Sequence, residues 1–279
     1  MKTLALLLAL SPLPLSAALV EMWKFNDLPA GPIASGTTTT GVNGALATIL
    51  GAGANSFLTG GNGIAAVDLP GGSSASAAYI DLPNGIISAR TDATFEAWVT
   101  QDSVRNWGRV IDFGNTTTGE QFGPGGAGSA NDGIWLTFNR GTSPNTQRWE
   151  VKDGGYGAVD DSNLVSALGT QHHMVVTWDD MAPNLSLAIW YLDGLPAAAG
   201  VYSMNLNDIT DVNNWLGRSN WGGDDNADAS YDQFAIYDTA WSSAEVMNAF
   251  QAGPIPEPSV TLTLSSVLLG GLVFRRRRA

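Results

Sequence analysis

The 279-residue sequence predicts an all-β chain: a two-sheet antiparallel sandwich with one short C-terminal helix, set between an N-terminal signal peptide and a C-terminal transmembrane sorting helix. Three observations predict the sandwich. Short apolar or alternating runs recur along the middle of the chain, separated by Gly, Asn, Asp and Pro. Thirty-three glycines suit tight turns better than helices. A single helical pattern occurs, and it comes late, after the strands.

The elements follow in order. Lys2, the apolar run Leu4–Leu10 and the small residues Ser16-Ala17-Ala18 have the form of a signal peptide over residues 1–18, cleaved near Ala17 or Ala18. Pro12 and Pro14 argue against a packed helix there. The sandwich then spans 19–253. Its strands are expected at Leu19–Phe25, Ala77–Leu82, Thr94–Thr100, Arg109–Phe113, Gly133–Phe138, Gln147–Val151, His173–Trp178, Leu185–Leu192 and Tyr231–Tyr237. Asp193-Gly194 marks a hairpin turn between Leu185–Leu192 and Ala197–Tyr202. Thr37–Gly63 and Gly114–Asn131, rich in Gly, Thr, Ala and Asn, are expected as long surface loops with edge strands inside them. Ser242 and Glu245 form a capping box, with Val246, Met247 and Phe250 at helical spacing, so a helix should run to about Gln251.

The chain ends in two further pieces. Pro254-Ile255-Pro256-Glu257-Pro258 is a stiff linker over 254–258. Residues 259–279 hold the uncharged stretch Ser259–Phe274 and then Arg275, Arg276, Arg277 and Arg278. As a helix the stretch would cover about 24 Å, short of a bilayer core. Arginine snorkelling eases the mismatch and keeps the cluster on the cytoplasmic side.

Charge and cysteine content narrow the function. Lys2 and the four terminal arginines account for five of 13 basic residues, leaving eight against 26 acids, a net of about −18 for the exported body. Phosphate binding needs a basic face, so a nucleic-acid partner is excluded. The acid excess suits solubility and divalent cations. With no cysteine, the domain relies on its core alone.

Two resemblances arise from these residues. The tail, Pro256-Glu257-Pro258-Ser259 followed by an apolar stretch and Arg275–Arg278, resembles the PEP-CTERM sorting signal of Gram-negative bacteria. The resemblance implies processing near Pro256–Pro258 by an exosortase-type enzyme. It also implies a transient membrane anchor and a final place at the cell surface or in extracellular polysaccharide. The body, through Trp23–Asp27, Thr94–Val99, His172–Asp179, Leu187–Gly194 and Tyr231–Glu245, resembles the laminin-G-like, concanavalin A-like jelly rolls of bacterial surface proteins. That resemblance implies a jelly-roll sandwich, the fold already reached from strand spacing.

Several residues are candidates for function. Asp224, Asn226, Asp228, Ser230 and Asp232 offer an oxygen at every second position in what reads as the loop before the closing strand, a candidate calcium site. An EF-hand is rejected, because Ala229 and Ala235 stand where glycine and glutamate are required. The plainer alternative is a solvated acidic loop, with Asp232 holding the closing strand's neighbours. Trp107 and Trp221 lie in polar loops and are candidate platforms for sugar rings, whereas Trp23, Trp98, Trp178 and Trp190 sit in strand patterns and belong to the sheets. His172 and His173 are adjacent in a strand and point to opposite faces, which argues against a shared metal.

A glycoside hydrolase would need two carboxylates facing one cleft. No strand carries acids at alternating positions of the Glu-x-Asp-x-x-Glu type: Glu96 stands alone, expected as a partner of a loop, and Glu150 has only Asp153 nearby. No Gly-x-Ser-x-Gly elbow, phosphate loop or cysteine nucleophile occurs. The expectation is a non-catalytic exported surface or matrix protein that binds polysaccharide or another surface component, the alternatives being an adhesive protein with protein partners and a hydrolase or lyase.

Overall fold

The computed structural model describes residues 17–59, 64–121, 128–141 and 146–255. The expected signal peptide up to Ser16, together with Pro256, Glu257, Pro258 and the expected sorting segment with its arginines, lies outside the described residues. Among those described, no helix is long and apolar enough to cross a membrane.

The strands are β1 Leu19–Trp23, β2 Gly31–Pro32, β3 Thr37–Thr40, β4 Leu46–Leu50, β5 Asn55–Thr59, β6 Ile64–Ser73, β7 Tyr79–Leu82, β8 Ala93–Ser103 and β9 Arg109–Thr116. They continue with β10 Ala130–Thr137, β11 Arg148–Asp153, β12 Tyr156–Asp161, β13 Gln171–Ala182, β14 Leu185–Leu192, β15 Leu195–Tyr202, β16 Asn213–Leu216 and β17 Asp225–Tyr237, followed by helix α1, Ser243–Ala252. All named pairings are antiparallel. One sheet runs β15-β14-β13-β8-β17-β6-β5-β2, with β1 also on β17; the other runs β12-β11-β10-β9-β16-β7-β4-β3. This is the all-β, two-sheet antiparallel jelly-roll sandwich expected from the sequence.

The core lies between the sheets because alternate residues of each strand face inward. Phe95 of β8 and Phe234 of β17 meet Phe113 of β9 edge-on across the layers, with ring centroids 5.4 and 5.9 Å apart. Trp23, Trp178 and Trp190 are buried in the same core, as their strand patterns required. Aromatic pairs of this geometry each add about 0.5–1.5 kcal/mol beyond area burial.

Local signals act as expected at two places. Asp193 and Gly194 both take positive φ, 51° and 79°, the mirror-image turn that suits the β14–β15 hairpin. The Ser242 side chain accepts from the Glu245 backbone while Glu245 reaches back to the Ser242 amide at 2.7 Å, so the capping box starts α1. The helix covers the outer face of the larger sheet, packing Val246 on Val175 and Tyr191.

Three readings need correction. Thr37–Gly63 is not mainly surface loop: β4 places Ala47 and Ile49 fully in the core. Glu96 does not serve a loop; it lies beneath α1, with His173 Nε2 at 2.9 Å and the Tyr237 hydroxyl donating to it at 3.0 Å. The acidic stretch around residue 226 is not a loop, because the closing strand β17 begins at Asp225.

Candidate functional site

The smaller sheet carries an ordered row on the face turned away from the core. Its inward residues, among them Ile111, Phe113, Ile134 and Leu136, are apolar. The alternate positions align across neighbouring strands as Asp81, Trp215, Asp112, Trp135 and Glu150. Each indole separates two acids, so like charges never sit directly opposite one another. Trp215 donates its Nε1–H to Asp81 at 2.9 Å, and Trp135 donates to Glu150 at 2.9 Å. Burial pushes the Asp81 carboxyl up to about 7.

Arg109 ties this row to the loops above it. Its Nε donates to Asp112 at 3.1 Å, its Nη1 to the Trp107 carbonyl at 3.0 Å, and its Nη2 to Asp224 at 2.8 Å. Asp112 also accepts from the backbone and the side chain of Asn220. Arg109 and Asp112 are thus buried with compensating partners, the condition under which buried charge is tolerated.

Above the Glu150 end of the row is a cavity of about 390 Å³ whose lining includes Trp107, Arg109, Arg148, Glu150, Trp221 and Asp224. The two tryptophans expected as sugar platforms, one between β8 and β9 and the other between β16 and β17, therefore come together. Trp107 is held in the left-handed region, φ 57°, an uncommon conformation for a bulky residue that costs of order 1–3 kcal/mol. The Arg148 guanidinium lies 5.4 Å from the Trp107 ring centre, and the Lys152 ammonium 4.9 Å from that of Trp221. Burial pushes the Asp224 carboxyl above its ordinary range, against the pull of Arg109 and of Ser219. A second cavity, of about 430 Å³, is lined by residues such as Asp92, Asp180, Asn184 and Asp208 and has no aromatic wall.

The candidate calcium set does not converge. Asp224 is bound by Arg109 and Ser219. Asn226 turns its amide to the carbonyl of Ala77 at 2.8 Å. Asp228 pairs with Arg105 at 3.0 Å. Asp232 is buried at a bulge in β17 that falls between Tyr231 and Gln233. Bulges interrupt the alternation that would have put these oxygens on one face. Among the described residues, no group of three or more His, Asp or Glu gathers to hold a metal. His172 and His173 do face opposite ways, the first to Asp193 and the second to Glu96.

Sequence reasoning missed Arg109 and Arg148, and weighed Glu150 only as a catalytic acid with Asp153 as its one neighbour. A signal was present: Arg148, Glu150 and Lys152 alternate with the apolar Trp149 and Val151, which puts three charged groups on one face of one strand. The search for acids along a single strand could not see Glu150 and Asp224 facing one cavity from different elements.

The family described as the concanavalin A-like lectin/glucanases superfamily, Laminin_G_3, matches residues 73–247. No curated protein sequence matches the chain. Among solved structures, domain 4 of AbnA, a GH43 extracellular arabinanase from Geobacillus stearothermophilus, solved with arabinotriose, is similar at TM-score 0.58 and 16% identity, covering 83% of this chain and 98% of that one. Trypanosoma rangeli sialidase in complex with the inhibitor DANA is similar at TM-score 0.51 and 17% identity, over 83% of this chain and 32% of that one. The botulinum neurotoxin serotype C1 binding domain is similar at TM-score 0.54 and 12% identity, over 85% of this chain and 52% of that one. The chain thus spans about a third of the sialidase and half of the toxin domain, and at these identities the likeness is one of fold.

Proposed function

The chain belongs to the concanavalin A-like lectin/glucanase superfamily, and from that premise we propose that it is a non-catalytic exported surface or matrix protein that binds carbohydrate in the Trp107–Trp221 cavity. The observation that carries this reading is the meeting of two half-buried indoles with the polar side chains of Arg148, Glu150 and Asp224 around one cavity. Sugars present apolar C–H faces and hydroxyl edges. A site with aromatic walls and a few placed polar groups matches both. The volume falls in the range of small-ligand sites. The arabinotriose complex of a similar fold accords with this reading. Export by the N-terminal segment, and processing near Pro256–Pro258 by an exosortase-type enzyme, would place the domain at the cell surface or in extracellular polysaccharide.

Glycan-array or polysaccharide pull-down binding by the exported domain tests the proposal, with Trp107→Ala and Trp221→Ala as controls. Binding lost in both variants supports it. Binding that survives loss of both tryptophans favours an adhesive protein with another surface. A hydrolase is the second reading, since Glu150 and Asp224 face one cavity, as glycoside hydrolysis requires of two carboxylates. Arg109 and Ser219 hold one Asp224 oxygen, which favours a carboxylate that accepts hydrogen bonds over one that donates a proton. Release of reducing ends by the wild type but not by Glu150→Gln would overturn the non-catalytic assignment.

A further inference from the structure

The polar groups of the cavity are committed unequally. Its cations are engaged with the protein itself. Arg109 donates to Asp112, to the Trp107 carbonyl and to Asp224. Arg148 donates through Nε and Nη2 to both oxygens of Asp161, at 2.6 and 3.1 Å. Lys152, beside the cavity, donates to the Ala130 carbonyl and lies over the Trp221 ring. The two acids are engaged on one oxygen each: Oε2 of Glu150 takes the Trp135 indole, and Oδ2 of Asp224 takes Arg109 and Ser219. Among the described residues, their other oxygens, Oε1 of Glu150 and Oδ1 of Asp224, have no hydrogen-bond partner, and neither is a buried unpartnered atom. The acceptors open to a ligand thus sit on two carboxylates, whereas the cations, which keep spare N–H donors, already face a carboxylate, a carbonyl or an indole.

Granting that the cavity binds glycan, we infer that it selects neutral glycans and excludes those bearing uronate, sulfate or other anionic groups. A neutral sugar brings hydroxyl groups, each of which donates one hydrogen bond, so neighbouring hydroxyls satisfy Glu150 Oε1 and Asp224 Oδ1 while the ring faces lie against Trp107 and Trp221. An anionic group brings acceptors without donors and places its charge near two carboxylates, and the guanidinium groups that would receive it are already paired. The formal charge of the whole chain, −13, adds long-range repulsion of polyanions.

The test is affinity gel electrophoresis of the exported domain in neutral arabinan and β-glucan and, in parallel, in polygalacturonate and alginate, at low and high salt. A neutral polymer is expected to retard the protein at both salt concentrations, and neither uronate polymer at either. Glu150→Gln, which keeps an oxygen for the Trp135 indole, is expected to raise uronate affinity about tenfold or more above the wild type's detection limit by removing one like charge; its melting temperature checks that it folds. Uronate binding by the wild type that equals neutral binding and is lost with Trp107→Ala and Trp221→Ala overturns the selectivity while leaving the cavity as the glycan site. Binding of either class that ignores both tryptophans, or no binding at all, overturns the cavity reading and the selectivity with it.

Discussion

Arg109 places its Nη2 2.8 Å from Oδ2 of Asp224, joining β9 to the turn before β17 through a side chain that is 2% exposed. The same guanidinium holds Asp112, which is fully buried. Removing it by Arg109→Met would leave two acids without their cation. The expected loss is about 3–5 kcal/mol, the range found when one partner of a buried ion pair is deleted. Chemical denaturation measures it. A loss under 1 kcal/mol would mean that Arg109 does not organise the site.

Trp107 pairs a strained backbone with a half-buried ring that walls the proposed glycan site. Replacing it by Gly relieves the positive φ and removes the ring. Trp107→Gly should therefore match or exceed Trp107→Ala in stability, by up to about 1 kcal/mol, while both abolish glycan binding. If the glycine variant is the less stable of the two, the left-handed backbone is not a source of strain.

Asp81 supplies a pH dependence. Burial raises its carboxyl to about 7 in the folded protein, from the ordinary value near 4 in the unfolded chain. Between those values the folded state binds the extra proton, so stability is greatest near pH 4 and falls as pH rises toward 7 on this group's account. Each unit of displacement corresponds to about 1.4 kcal/mol. Thermal unfolding of Asp81→Asn across pH 4–8 should show a flatter profile than the wild type. Parallel profiles would contradict the assignment.

Glu96 separates stability from binding. It is buried beneath α1 on the larger sheet, bonded to His173 and Tyr237, and it does not line the Trp107–Trp221 cavity. Glu96→Gln should destabilise the fold by about 1–3 kcal/mol and leave glycan affinity unchanged. A selective loss of binding or of any hydrolysis would move the site to this face.

Most of the sandwich was legible where short, largely apolar runs marked strands buried on both faces, as in Thr94–Thr100 and His173–Trp178. The Asp193-Gly194 turn and the Ser242 cap were legible because each acts through its own backbone. The first half of β17 was not, since Asp225, Asp228 and their neighbours are poor strand formers. Tertiary partners hold them in the sheet instead: Arg105 on Asp228, and the paired strand β6. The edge strand β12 was hidden in the same way, being half-exposed and rich in Gly and Asp. Of the site, the tryptophans stood out as large aromatics in polar loops. Arg109 and Glu150 did not, because a charged residue in an alternating strand reads as an ordinary solvent-facing position until cross-strand register places it beside an indole.

The central claim is that glycan sits between Trp107 and Trp221, and the indole N–H resonances test it most directly. The chain has ten tryptophans, each giving one such signal. Titration with a neutral oligosaccharide is predicted to move the resonances of Trp107 and Trp221, with those of Trp23, Trp178 and Trp190 in the core unchanged. Saturable binding that leaves both cavity indoles unmoved would contradict the account.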